Sequence, residues 1–272
     1  MKDKRQALRI LRHCGLMQVT DYFRYIWIRA RNRKSNRGFR SRFSGVIFPP
    51  DYMMYEAYRL DYERYYINGR QSAEWLVEKV KPYVDLEKAS ILDWGCGPAR
   101  VLRHLPGLLP AATFYGTDYN PATIAWCSKT FSNIYFHSND LMPRLVYEKG
   151  MFDLVYGISI FTHLSEEAHA AWIGELGRIL KPGGILLITL HGASFRDKLT
   201  GDEQLLFDRG ELVVRGNVKE GHRTFTAFHP QRWVRKWTEG FEILEYEPGR
   251  KEEQDTLILK EKGERRKEEG DR

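Results

Sequence analysis

The sequence predicts an α/β fold: an open, mostly parallel seven-stranded sheet with helices on both faces. Three observations carry that prediction. From about residue 70 to 260, apolar runs of strand length alternate with stretches of helical spacing. The first run enters a two-glycine turn, Gly95-Cys-Gly97, that leads back into helix. The last two runs, joined through Pro248-Gly249, form an antiparallel pair, which makes the last strand antiparallel and finishes an otherwise parallel sheet.

In chain order, Ala73, Leu76, Val77, Val80 and Val84 recur at helical spacing, with Ser72 placed to cap the start. Residues 91–94 form a short strand, and 99–105 return to helix. Residues 113–117 are a strand ending at Asp118, and Pro121 suits the first position of the next helix. Residues 134–137 are the third strand. Residues 152–158 are the fourth, apolar on both faces as a strand covered on both sides requires. Ser165 caps a helix with the stripe Ala168, Trp172, Leu176, Ile179 and Leu180, and Lys181-Pro-Gly-Gly stops it. Residues 185–190 are the fifth strand. This rhythm implies right-handed crossovers. Beyond His191 it changes: 205–207 and 212–214 read as a hairpin turning at Asp208-Arg-Gly-Glu, followed by a strand at 224–228, a helix at 230–237 and strands at 241–246 and 256–259.

Composition bounds the rest. The 272 residues are 42% hydrophobic and 13% aromatic, enough for a proper core. The longest uncharged runs, 104–117 and 182–195, hold 14 residues each, short of the roughly 18 that a membrane-spanning helix needs. The start lacks the apolar core of a signal peptide. Three cysteines, Cys14, Cys96 and Cys127, argue against a disulfide framework, so a soluble cytoplasmic protein is expected. Residues 1–45 hold thirteen Lys/Arg against Asp3 and Asp21, a balance of +11; the net charge of +7 therefore leaves −4 on the remaining 227 residues. The chain reads as a basic arm (1–48), a tyrosine-rich connector or lid (49–69), the α/β domain (70–262, with an insertion at about 192–223) and a charged, frayed tail (263–272).

The candidate site lies at the first strand. Asp93-Trp-Gly95-Cys-Gly97-Pro-Ala99-Arg100 sits between strand and helix at the carboxyl edge of the sheet, where open α/β folds bind ligands. Glycines there let the backbone approach a ligand. Asp118, closing the second strand, can accept both hydroxyls of a ribose, so the pattern points to a nucleoside-containing cofactor. Arg100 stands where a dinucleotide fingerprint puts glycine or alanine, which counts against NAD.

Over roughly 70–260 the sequence resembles the class I S-adenosylmethionine-dependent methyltransferases, with a type 11/12-like domain. The matching pieces stand in the family's order: Asp93 to Arg100; Tyr-Gly-Thr-Asp118-Tyr119-Asn; Ser-Asn139-Asp140-Leu141; Phe-Asp153 through His163-Leu; and Leu-Lys-Pro-Gly-Gly184. The resemblance implies a Rossmann-like fold and S-adenosyl-L-methionine as cofactor, here with an N-terminal helical extension. It implies that Asp93, Gly95 and Gly97, with Ala99 and Arg100, hold the methionine end, and that Asp118 and Tyr119 hold the ribose. Asn139, Asp140 or Leu141 would meet the adenine, and Gly157 and Ser159 would line the space beside the methyl group. A sulphonium methyl is already activated, so neither a protein nucleophile nor a metal is required; the protein's task is to align an acceptor and exclude water.

A hydroxyl acceptor also needs its proton removed, and His163, His191 and His229, all following strands, are the candidate bases or acceptor-positioning donors. No Asn-Pro-Pro-Tyr-like sequence follows the fourth strand, which disfavours amino-methylation of adenine or glutamine. The expected acceptor is a small-molecule, sugar or lipid-linked oxygen; RNA methylation and a non-catalytic scaffold are the alternatives. In the arm, Val19, Tyr22, Phe23, Ile26, Trp27 and Ala30 form an apolar stripe beside many arginines. That pattern suits peripheral contact with a membrane surface, contact with nucleic acid, or packing onto the domain.

Overall fold

The computed structural model describes residues 17–216, 218–222 and 224–263. The first 16 residues of the arm, Cys14 and most of the charged tail lie outside the described residues. Strands β1 (Ser90–Trp94), β2 (Thr113–Asp118), β3 (Tyr135–Ser138), β4 (Phe152–Gly157), β5 (Leu180–Leu190), β8 (Phe241–Glu247) and β9 (Asp255–Glu261) build one sheet in the order β3-β2-β1-β4-β5-β9-β8. The pairs from β3 through β5 are parallel, and β9 is antiparallel to both its neighbours. Strand order reverses between β1 and β4, so the crevice at their carboxyl ends is the topological switch point.

Two apolar layers sandwich the sheet. One side joins Ile91, Leu102, Phe114, Leu154 and Ile185 to Leu76 and Val80 of helix α3 (Tyr62–Val80). The other joins Leu92, Val155, Leu186 and Leu257 to Trp172 and Leu176 of helix α6 (Glu166–Ile179). Ser165 caps α6 as expected, its hydroxyl accepting from Ala168 N. Helix α5 (Pro121–Thr130) starts at Pro121, capped by the Asn120 side chain. Between β1 and β2 the chain forms a 3-10 turn at Leu102–His104 and a one-turn helix, α4 (Leu105–Leu108), rather than a continuous helix from 99.

Two expectations are corrected. Helix α3 starts at Asp61, whose side chain accepts from Arg64 N, so Ser72 lies mid-helix and its hydroxyl donates to Asn68 O at 2.8 Å. The boundary drawn at 69/70 therefore falls inside one helix. The hairpin expected at 205–214 is absent: Gly201–Asp208 is helix α7, begun by a capping box between Thr200 and Glu203. Strand β6 (Val213–Arg215) pairs instead with β7 (Thr226–Phe228), and helix α8 (Gln231–Trp237) follows.

Helix α1 (Met17–Arg42) packs through Tyr25, Ile28 and Phe39 against helix α2 (Asp51–Tyr58) and the start of α3. Asn32 and Asn36 donate to the Leu60 carbonyl at 3.1 and 2.9 Å, which holds the left-handed Arg59 and Leu60 that end α2. Of the three readings open for the stripe from Val19 to Ala30, packing onto the domain is not the one realised: the stripe is exposed. Among the described residues, no helix is long and apolar enough to cross a membrane.

Candidate cofactor site and the methyltransferase domain

The parallel register brings the ends of β1, β2, β3, β4 and β5 to one edge, and the candidate residues collect there. Gly95 has φ +76°, and a Cβ on it would meet Ile160 Cδ1 at 2.3 Å, so conformation and space both require glycine. Gly97 has φ +50°, and a Cβ there would meet nothing within 4 Å: its Cα faces open space. The Asp118 carboxylate spans the gap between β1 and β2. One oxygen accepts from Gly97 N at 3.0 Å and the other from Asn120 N at 2.8 Å, so the acid and the glycine turn form one unit.

At the end of β3, Asn139 N donates to Asp118 O, and the Asn139 Oδ1 is buried with no donor. An orphaned acceptor one strand away from a ribose-type acid is what an amino-bearing base satisfies. Asp93 lies deeper, at the end of β1. Burial pushes its carboxyl up to about 7; the Tyr156 hydroxyl and the Arg100 guanidinium oppose this, and Asp118 adds to it. A buried acid so placed is complementary to a cationic ligand group. The open glycine, the hydroxyl-accepting acid, the orphaned amide oxygen and the buried acid together fit an adenosyl sulphonium carrying an ammonium group.

Other candidate residues are engaged in contacts within the protein or stand in solvent. Arg100 turns away from the edge: its Nη1 donates to Asn68 O at 3.2 Å and Ser72 Oγ at 3.0 Å, and its guanidinium lies 4.9 Å from the Tyr58 ring centroid. Ala99 is fully buried in the left-handed region. Gly157 is glycine because a Cβ there would meet the Trp94 ring at 2.7 Å. Ser159, at φ +66°, is held in a polar cluster: its N donates to Thr189 Oγ1 at 2.8 Å, and its Oγ accepts from Gln254 Nε2 at 2.7 Å. Asp140 is exposed.

The three histidines divide. His163 and His191 follow β4 and β5 on the same edge. The His163 Nδ1 lies 2.7 Å from Phe225 O, and the His191 Nδ1 lies 3.2 Å from Ala227 O. Each carbonyl demands a proton on Nδ1, so in the neutral ring the lone pair sits on Nε2. Burial, then the proximity of His163, lowers His191 to about 4, keeping it neutral at pH 7. His229 is different. It is fully buried, and its Nε2 lies 2.9 Å from the Nε2 of His169. The His169 Nδ1 donates to Ser165 O at 2.7 Å, so the proton between the two rings comes from His229. Trp233 and Trp237 close around the pair. His229 is thus a packed core group and not an acid–base residue of the edge.

Sequence reasoning missed two contacts. Gly221, in the loop before β7, bridges three strand ends: its N donates to His163 O at 2.9 Å, its O accepts from Tyr119 at 3.3 Å, and Leu141 packs beside it. The tyrosine-rich segment reaches the same turn, with the Tyr65 hydroxyl donating to Pro98 O at 2.7 Å. Neither contact leaves a local signal, because the partners lie 102 and 33 positions apart. Among the described residues no group of three or more His, Cys, Asp or Glu is placed to hold a metal ion.

This sheet order, with a glycine turn and an acid at its switch point, is the architecture of a class I methyltransferase domain, and S-adenosylmethionine is the cofactor of that class. Residues 91–184 match the family model described as a methyltransferase domain. A tRNA (carboxymethyluridine(34)-5-O)-methyltransferase from Arabidopsis thaliana is 34% identical over 108 residues, covering 39% of this chain and 25% of that protein. A trans-aconitate 2-methyltransferase from Methylobacterium nodulans is 25% identical over 130 residues, 45% of this chain and 49% of that one. The chain thus spans between a quarter and a half of the length of these curated relatives. A SAM-dependent methyltransferase of known structure from Methanosarcina mazei, 18% identical, shares the fold with a TM-score of 0.53 over 67% of this chain and 96% of that chain.

Proposed function

We propose that this protein transfers a methyl group from S-adenosylmethionine to an oxygen of a small-molecule, sugar or lipid-linked acceptor. The observation that carries the reading is the Asp118 bridge: one carboxylate at the switch point ties the open Gly97 turn to the end of β2 at 3.0 Å, which puts an acid beside the turn where a ribose would lie. In this reading Asp93, Gly95 and Gly97 hold the methionine end, Asp118 the hydroxyls, and Asn139 Oδ1 the exocyclic amine of adenine. The bound cofactor supplies an electrophilic methyl. The protein aligns the acceptor behind it and keeps water out, on the order of 7–11 kcal/mol for well-oriented groups.

His163 is the residue we assign to the acceptor hydroxyl. Its Nδ1–H is fixed by Phe225 O, which orients Nε2 as the proton acceptor. His191, lowered to about 4, is too weak a base for that role and instead keeps the neighbouring wall neutral. An oxygen acceptor also accords with the relative whose name specifies a 5-O position. That relative's tRNA substrate and the arm's charge favour RNA as the competing acceptor.

The test is transfer of labelled methyl from S-adenosylmethionine into a metabolite extract. The expected product is labelled small molecules or organic-extractable material. His163→Ala is expected to lose about 100-fold or more in turnover while binding cofactor normally. Label found in RNA alone, or turnover unchanged in His163→Ala, would contradict the reading.

A further inference from the structure

We propose that helix α1 is a docking face for an anionic phospholipid membrane. The helix presents two faces of opposite fate. Tyr25, Ile28, Asn32, Asn36 and Phe39 turn inward onto α2 and α3. The opposite face carries Val19, Tyr22, Phe23, Ile26, Trp27 and Ala30, at the spacing of one continuous ridge about three turns long. All six are exposed, Phe23 to 68% and Trp27 to 58%. Nothing in the described molecule covers them, although an apolar ridge of this kind costs free energy in water.

Continuing along the same face, the apolar residues give way to Arg33, Lys34 and Arg37. Over its whole length α1 holds eight Lys/Arg against the single acid Asp21. Beside this face runs a groove of about 780 Å³ between α1 and the start of α2 and α3, where Ile26 and Ala30 of the ridge adjoin Arg29, Arg33, Arg37 and Arg40. Two of these are anchored by the opposite wall: Arg29 pairs with Asp51 at 3.1 Å, and Arg40 donates to the Tyr62 hydroxyl at 2.7 Å. Arg33 and Arg37 make no ion pair among the described residues. A row of guanidinium groups suits phosphate, which they bind in a bidentate manner.

The order along the helix selects the partner. Phosphate in the groove and hydrocarbon on the ridge are joined in one ligand class, the phospholipid surface. Single-stranded RNA would use the arginines and stack on Tyr22, Phe23 and Trp27, but Val19, Ile26 and Ala30 offer no planar ring and would stay in water. A second copy of the chain would bring the same positive charge against itself. Because the opposite face is anchored by the Asn32 and Asn36 bonds, the ridge is rigidly presented and loses little freedom on docking. This docking stands apart from methyl transfer and needs no cofactor.

The experiment is co-sedimentation of the full chain with phosphatidylcholine vesicles with and without 30% phosphatidylglycerol, at several salt concentrations. Three proteins are compared: the natural chain, F23S/W27S, and R33E/R37E. All these side chains are exposed, and the thermal midpoint of each variant verifies folding. Binding to the anionic vesicles is expected, with at least tenfold weaker partitioning onto pure phosphatidylcholine, a fall with salt, and a loss of at least tenfold in each variant. Absence of vesicle binding, or equal binding by F23S/W27S, would overturn the proposal. So would an affinity for single-stranded RNA that exceeds vesicle affinity and disappears in F23S/W27S, or a dimer in light scattering that the same variant dissolves.

Discussion

Two side chains of the same type, His163 and His229, occupy opposite environments a short distance apart. Both follow a strand and precede a helix or turn, so the local sequence treats them alike. What separates them is His169, sixty positions before His229, whose Nδ1 donates to its own helix start and whose Nε2 therefore accepts the hydrogen bond from His229 Nε2. No local pattern carries that information. Asp118 and the glycines were legible because backbone demands show directly as residue type: only a residue without Cβ passes Ile160 at position 95. Gly157 looked the same in sequence but serves Trp94.

The buried imidazoles have a consequence for pH. Burial lowers His169 to about 4, and His229 well below its ordinary value. In the unfolded chain they titrate near the usual 6.5, so between about pH 6.5 and 4 the unfolded state binds more protons and stability falls as pH falls. Asp93, raised to about 7, and Asp255, raised by burial, act in the opposite sense, two groups against His104, His169, His191 and His229. The thermal midpoint should therefore drop on going from pH 7 to pH 5, with His169 alone worth about 2 kcal/mol over that interval. His169→Phe should flatten that slope; a slope identical to that of the natural protein would contradict the assignment.

At the scale of elements, the βαβ alternation from β1 to β5 was legible because buried parallel strands are apolar throughout and their helices carry single stripes. The same signal failed at two places. Leu205, Leu206 and Phe207 look like a strand, yet the Thr200–Glu203 box supplies a helix start that the apolar triplet then continues. Helix α1 carries apolar residues on both faces, and the stripe richest in aromatics is not the one that packs. The choice was made by α2 and α3, which offer the complementary surface of Met54, Tyr55, Tyr62 and Tyr65.

Tyr65 links this helical layer to the site. Its hydroxyl donates to Pro98 O inside the glycine turn and accepts from Arg103 at 3.1 Å. Tyr65→Phe keeps the packing and removes both bonds, leaving a buried carbonyl and a guanidinium short of partners. A loss of about 1–3 kcal/mol in unfolding free energy is expected, together with weaker cofactor binding as the turn loosens. Urea unfolding and calorimetry read the two effects. Lower stability with unchanged cofactor affinity would show that the layer braces the fold and leaves the turn alone.

For the whole molecule, the net charge of +7 conceals two parts: a mildly acidic α/β body whose sheet edge gathers the site, and a basic helix whose inner face fastens it to that body. The sheet order brings residues 93, 118, 139 and 163 together from four separate strand ends, and β9 closes the sheet by inserting between β5 and β8. Chain order and sheet order differ most at that insertion, so apolar runs alone announce the strands without announcing which neighbours they take. The acceptor is encoded at none of these scales in a form that residue type reveals, since the walls around His163 are assembled from the loop at 221 and the ends of β4, β5 and β7.

In the proposed reading the switch-point crevice grips an adenosyl sulphonium through Asp118. Isothermal titration of the purified chain and of Asp118→Ala with S-adenosylmethionine, each verified as folded by its thermal midpoint, tests this most directly. Binding to the natural chain is expected, with at least a tenfold weaker affinity in the variant. A folded natural chain that releases no heat and competes for no labelled S-adenosylmethionine, or an Asp118→Ala chain of equal affinity, would contradict it.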